Sequence, residues 1–328
     1  MRRALMVFFL LCAAVAAAFA WEHQHFAAPG PRAAHGGDTV VLIPAGEGVS
    51  AISRELAKAR VIENSALFQM GVRLRRLGPK LKAGEYAIPS AASMKDIASI
   101  LISGKSIQHK LTAPEGLTSQ MIYALVKADP VLVGSAGAVP AEGALLPETY
   151  LFTRGTTRGE IIAQMEMAQK ALLAKLWPLR AKNLPFDSPR EAIVLASIVE
   201  KETARPAERR HIAAVFENRL RIGMRLQSDP TIIYGITKGY PLGRGIRESE
   251  LNGATPYNTY VIAGLPPAPI CDPGKDAIAA VLQPAQSNDL YFVADGTGGH
   301  VFAASIAEHQ KNVTRWRKIE RQENQQRR

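Results

Sequence analysis

The chain has 328 residues, a formal net charge of +11, 21% charged residues and two cysteines. That length suggests two or three domains with ample core, and two cysteines exclude a disulfide framework or a cysteine-built metal cluster. The positive balance suits an anionic partner such as lipid headgroups, nucleic acid or a cell-wall polymer.

The first 21 residues narrow that choice. Arg2 and Arg3 precede an uncharged run from Ala4 to Trp21. The run is near the ~20 residues that cross a bilayer and exceeds the ~7–15 of a usual signal core. Ala18-Phe19-Ala20 matches a cleavage site, but the length favours a retained anchor. With the basic residues ahead of it, the rest of the chain should face outward. An exported chain is a poor match for nucleic acid. Residues 22–38 are rich in His, Ala, Gly and Pro without a period and read as a linker. His23, His25 and His35 are expected to be solvated there, and no metal or cofactor is expected.

Thr39–Ile43 reads as a strand. Two helical faces follow, Val49/Ile52/Leu56 and Leu67/Met70/Leu74, the second capped by Asn64, and then a strand at Glu85–Ile88. The unit is β-α-α-β. Ser93 and Asp96 form a capping box for a helix that Gly104 stops, so a first subdomain spans residues 39–104. Ile107, His109 and Leu111 alternate as a strand, and Thr118 caps the next helix. A larger domain covers residues 105–328. Within it Glu160 to Trp177 is helical up to Pro178, and Leu290–Ala294 and His300–Ala303 read as a hairpin around Asp295-Gly296-Thr297-Gly298-Gly299. The tail from Lys311 is basic and reads as a fraying helix. The fold class expected is α+β, with an N-terminal membrane helix, a small subdomain and a larger mixed α/β domain.

The most informative stretch is Ser188 to Met224. Ser188 can cap, Pro189 stands at the first helical position and Glu191 falls three residues after the cap. An apolar run from Ala192 to Val199 follows, broken only by Ser197, and a helix apolar all round is buried all round. Glu200 and Glu202 close it. A carboxyl on such a helix is desolvated and its pKa rises, which suits protonation of a leaving oxygen in glycosidic cleavage. The plainer alternative is that Glu200 marks where the helix reaches solvent and pairs with Lys201 or an arginine. At about 100° per residue Glu200 and Glu202 point roughly 200° apart, so they cannot form the facing pair of an ordinary glycosidase. Glu200 is nearer the apolar run and is favoured. Three proline-stiffened polar loops follow, at residues 227–231, 255–260 and 264–270, with aromatic, amide and carboxylate groups able to hold sugars.

ASIVEKET at 196–203, ENRLRIGMRLQSDPTIIYG at 217–235, TPYNTY at 255–260, GLPPAPI at 264–270 and YFVADGTGGHVFAASIAEH at 291–309 together resemble the MltG (YceG-like) endolytic murein transglycosylases. The resemblance implies a membrane anchor in the inner membrane, a LysM-like subdomain over the β-α-α-β unit and peptidoglycan glycan strands as substrate. It also implies a setting beside peptidoglycan synthases. The implied reaction cuts between N-acetylmuramic acid and N-acetylglucosamine and leaves a 1,6-anhydro end. The resemblance assigns the catalytic glutamate to Glu200, with Gln227, Asp229, Tyr257 and Asn258 expected to hold sugars and developing charge. Two positions depart from the family pattern: Glu148 where aspartate is common and Ala268 where glycine is common. A murein-binding scaffold, and a hydrolase using Asp229 as second carboxylate, are the competing functions.

Overall fold

A computed structural model describes residues 2–326; Met1 and the last two residues of the basic tail, 327 and 328, lie outside the described residues. The chain forms two compact units, residues 1–110 with 151–156, and residues 111–150 with 157–328.

The first unit opens with helix α1 (Arg2–Ala27). Its stretch Leu5–Ala27 is long and apolar enough to cross a membrane. Strand β1 (Thr39–Ile43), helices α2 (Val49–Lys58) and α3 (Ser65–Leu74) and strand β2 (Gly84–Ile88) give the expected β-α-α-β order. The two strands pair antiparallel, Thr39 opposite Ile88 and Ile43 opposite Gly84. Asn64 caps α3 by accepting from the Leu67 N–H. Helix α4 (Met94–Ser103) carries the Ser93/Asp96 capping box and ends at Gly104, whose φ of 70° needs a residue without Cβ. Leu56, Phe68, Val72, Tyr86, Ile97 and Leu101 fill the core.

One difference concerns residues 22–38. The helix does not stop at Trp21 but runs to Ala27, and Glu22 and Phe26 are both buried. Phe26 joins the core of this unit, and the Arg75 guanidinium donates to both Glu22 carboxylate oxygens, at 2.7 and 3.2 Å. Composition suggested a tether because a docked helix end of six residues is too short to carry a period.

Strands β3 (His109–Thr112) and β4 (Thr149–Phe152) form a second two-stranded ribbon, and helix α5 (Ser119–Ala128) falls between them in sequence. The second unit continues with α6 (Arg158–Leu176), α7 (Pro189–Glu202), α8 (Pro206–Arg221), α9 (Asp229–Thr237), the short α10 (Glu248–Leu251) and α11 (Lys275–Leu282). Hairpin β5 (Tyr291–Ala294) and β6 (His300–Ala303) and helix α12 (Ile306–Gln326) complete it. Tyr291 pairs with Ala303 and Ala294 with His300. Gly296 and Gly298 in the turn have φ of 85° and 83°, and Asp295 accepts from the Thr297 and Gly299 N–H groups. Among the described residues strand is thus confined to two-stranded ribbons, and helices carry the unit.

Helix α7 is its axis. The capping box at Ser188 and Glu191 forms, with Pro189 in the first turn. Every residue from Ala192 to Val199 is buried, and α8 and α11 pack against the helix. Leu195, Ile198, Val199, Ile212, Phe216, Ile278 and Val281 make the common core. Truncating any one of the larger aliphatic side chains to alanine costs about 2–5 kcal/mol. This packing fixes the last turn of α7, and with it the directions of Glu200 and Glu202.

Candidate active site

A cavity of about 370 Å³ lies at the end of α7, lined by Glu202, Arg219, Gln227, Asp229, Tyr260, Tyr291, Phe292, Ile306 and His309. Its size is within the range of small-ligand sites. It gathers the last turn of α7, the end of α8, the start of α9, the 255–260 loop, β5 and the first turn of α12.

Glu202 is half-buried and accepts a hydrogen bond from the Ser228 hydroxyl on one oxygen; its other oxygen has no hydrogen-bond partner among the described residues. Burial pushes its carboxyl up to about 7, against the opposing effects of the Ser228 hydroxyl and the charges of His300 and Arg219, while the Asp229 charge adds to the rise. Asp229, in the first turn of α9 where a negative charge is favoured, accepts from the Tyr260 hydroxyl at 2.6 Å. Arg219 is buried, donates to the Leu290 carbonyl at 2.6 Å and lies 5.5 Å from the Tyr291 ring centre. His309 stacks on the same Tyr291 ring, centres 5.0 Å apart, and burial together with the Arg219 charge lowers its pKa, favouring the neutral imidazole.

The backbone here is tightly specified. Gln227 has φ of 51°, rare for a side-chain-bearing residue, and its N–H donates to the Thr259 carbonyl at 3.1 Å. The Ser228 N–H donates to the Thr259 hydroxyl, which meets the Thr231 hydroxyl at 2.9 Å, all three residues buried. Two polar loops separated by about thirty residues are thereby fastened together, and they hold Ser228 against Glu202.

Glu200 does not line this cavity. It points to the other side of α7, as the roughly 200° separation requires. Its side chain is 5% exposed, and both oxygens are engaged: one accepts from Arg209 at 3.1 Å, the other from the Gly274 N–H at 2.9 Å. Arg209 also meets Glu115 at 3.2 Å and Asp276 at 3.5 Å. Burial raises the Glu200 carboxyl, and Gly274 and Arg209 pull it back. The arginine partner is the one the plainer sequence alternative expected, but the solvent exposure it expected is absent, since the side chain is almost fully buried.

Of the four expected sugar-holding residues, Gln227 and Asp229 come together with Glu202; Tyr257 and Asn258 do not reach the cavity. Asn258 is buried and uses its amide to bind the Glu250, Leu251 and Gly253 carbonyls, while its side-chain oxygen accepts from the Tyr260 N–H. It shapes the loop that presents Tyr260. Tyr257 packs against Tyr234, ring centres 4.8 Å apart, with the Lys238 ammonium 5.3 Å away. Sequence reasoning passed over Tyr260, Arg219 and His309. Tyr260 was legible as the last residue of the TPYNTY motif; Arg219 was hidden among the exposed arginines of α8.

The YceG-like family model matches residues 41–315, most of the chain and every element around this cavity. The chain belongs to the YceG-like family. Among its relatives, the endolytic murein transglycosylase of Streptococcus pneumoniae serotype 2 strain D39 is 31% identical over 322 residues, covering 83% of this chain and 57% of that protein. The protein of the same name from Bacillus subtilis strain 168 is 29% identical over 303 residues, covering 83% of this chain and 82% of the relative. The chain thus spans little more than half the length of the pneumococcal relative. A crystal structure of a YceG-like protein from Listeria monocytogenes superposes with a TM-score of 0.51 at 32% identity, over 84% of this chain and 98% of that one.

Proposed function

We propose that this YceG-like protein is an endolytic peptidoglycan lytic transglycosylase that cleaves the bond between N-acetylmuramic acid and N-acetylglucosamine and leaves a 1,6-anhydro end. The names of the relatives support the class of reaction. The observation that carries the site is Glu202: it is the carboxyl in the cavity with a raised pKa and an oxygen left free.

In this reading Glu202, protonated near neutral pH, gives its proton to the glycosidic oxygen as the C1–O bond breaks. As carboxylate it then takes the proton of the C6 hydroxyl on the same muramyl ring, and that oxygen bonds to C1. No water is consumed, and the intramolecular attack gains from proximity. Asp229, oriented by Tyr260, stabilises the positive charge that develops on the ring, and Gln227 binds a sugar substituent. Ser228 holds Glu202 in place.

Two other readings rest on specific observations. Glu200 could be the acid, because burial raises it too. A water-using hydrolase is the other, because Asp229 shares the cavity with Glu202. One digest of purified murein separates them. Anhydro ends lost in Glu202→Gln and kept in Glu200→Gln support the proposal; the reverse pattern assigns Glu200; reducing ends indicate the hydrolase. No release at all, with murein still pulled down, indicates a scaffold.

The apolar span after Arg2 and Arg3 supports a single-pass anchor in the inner membrane with the chain that follows it on the outer side. The β-α-α-β order supports a LysM-like role for the first unit in holding glycan, beside the synthases that make it.

A further inference from the structure

The end of α1 is built into the first unit by a specific joint. Glu22 is 1% exposed and receives two hydrogen bonds from Arg75, which also donates to the Gly71 carbonyl and lies 4.4 Å over the Phe26 ring. Phe26 is buried beside Phe68, ring centres 6.2 Å apart. A Cβ on Gly71 would come within 2.3 Å of the Phe26 ring and 2.8 Å of Glu22, so the close approach of α1 and α3 needs glycine there. The joint fixes the height of the unit relative to the span. The uncharged run ends at Trp21, and Glu22 is the next residue. Its partner Arg75 closes α3, so the end of α3 lies level with the first charged residue after the uncharged run.

At that level the chain reads Arg73-Leu74-Arg75-Arg76. Arg73 and Arg76 are exposed, with no carboxylate partner among the described residues. Leu74 is 52% exposed and Trp21 53%. Exposed arginines with an aliphatic side chain between them match a headgroup layer in both charge and polarity.

We propose that the end of α3 is a membrane-surface contact: Arg73 and Arg76 bind anionic phospholipid headgroups, and the Glu22–Arg75 joint transmits that contact to the whole first unit. The unit is then held against the bilayer rather than swinging on a tether, so any glycan it meets is close to the membrane.

The test uses the full-length chain reconstituted in phosphatidylcholine vesicles with or without phosphatidylglycerol. Amide hydrogen exchange is followed over residues 71–80. Exchange should be roughly thirtyfold slower with the anionic lipid, from two arginines at the surface. R73E/R76E should abolish the difference; both side chains are exposed, so the fold survives. Arg75→Met should speed exchange at residues 22–27 in both lipids. Equal exchange in the two vesicle types, or a lipid difference that persists in R73E/R76E, overturns the proposal. So does an N-terminal mass showing that the mature protein begins after Ala20, since the span is then absent.

Discussion

Glu200 and Glu202 leave the same helical turn with the same chemistry and reach opposite surroundings. Glu200 faces an arginine and a backbone N–H and has no oxygen to spare. Glu202 faces a cavity, touches one hydroxyl and keeps an oxygen free among the described residues. Both are raised by burial. What separates them is whether the carboxyl is already committed. On the proposed reading, a carboxyl with both oxygens bonded is suited to holding structure and a half-buried one with a vacant oxygen to moving a proton.

The largest expected break in that comparison is Glu202→Gln. It should lower kcat for anhydro-product release by roughly 10³-fold, within the range of general acid–base catalysis, with little change in Tm at the acid end, where Glu202 is uncharged in both states. The same comparison can be sharpened with pH. Activity should fall as pH rises through about 7, because the proton-donating form of Glu202 is lost. Stability should move the same way. The folded-state pKa of Glu202 is raised above its unfolded value, so its favourable contribution is complete below pH 4.5, declines as the unfolded chain ionises first, and is gone above about 7. Chemical denaturation at pH 5 and pH 8 should show that decline shrinking in Glu202→Gln. Asp272 and Glu217, each pushed up to about 8 by burial, add declines of the same sign that the substitution leaves in place.

Next in size is Tyr260→Phe. Losing the hydroxyl that Asp229 accepts should lower kcat about tenfold, the value of one charge-assisted hydrogen bond. Turnover on defined glycan strands measures it, and unchanged kcat would remove Asp229 from the charge-stabilising role. On the other side of α7, Arg209→Ala leaves Glu200 buried without its cation. That should cost about 3–5 kcal/mol and lower Tm on the order of 10 °C, with the product still an anhydro sugar. Asn258→Ala should cost less, about 1–3 kcal/mol by denaturant titration, from three carbonyls left without its amide. Its activity should fall only as far as Tyr260 is displaced.

Much of this was legible from local pattern. The caps at Asn64, Ser93, Thr118 and Ser188, the all-round burial of Ala192–Val199 and the Asp295–Gly299 turn follow from short-range chemistry, which is written within four or five residues. Helix α9 was legible too, since Ser228-Asp229-Pro230 is a helix start; its polar neighbours made it read as a loop. The docked end of α1 was not legible, because its evidence lies in Gly71 and Arg75, some fifty residues away.

By itself the sequence determined the axis: a helix too apolar to lie anywhere but inside, ending in two glutamates. It also determined their divergence, since two helical steps turn a side chain through more than half a circle. Only the tertiary structure decided which of the two meets a cavity and which meets Arg209. That choice depends on where α8, α11 and the 255–260 loop pack, and such long-range contacts leave no periodic trace in the residues around Glu200 and Glu202.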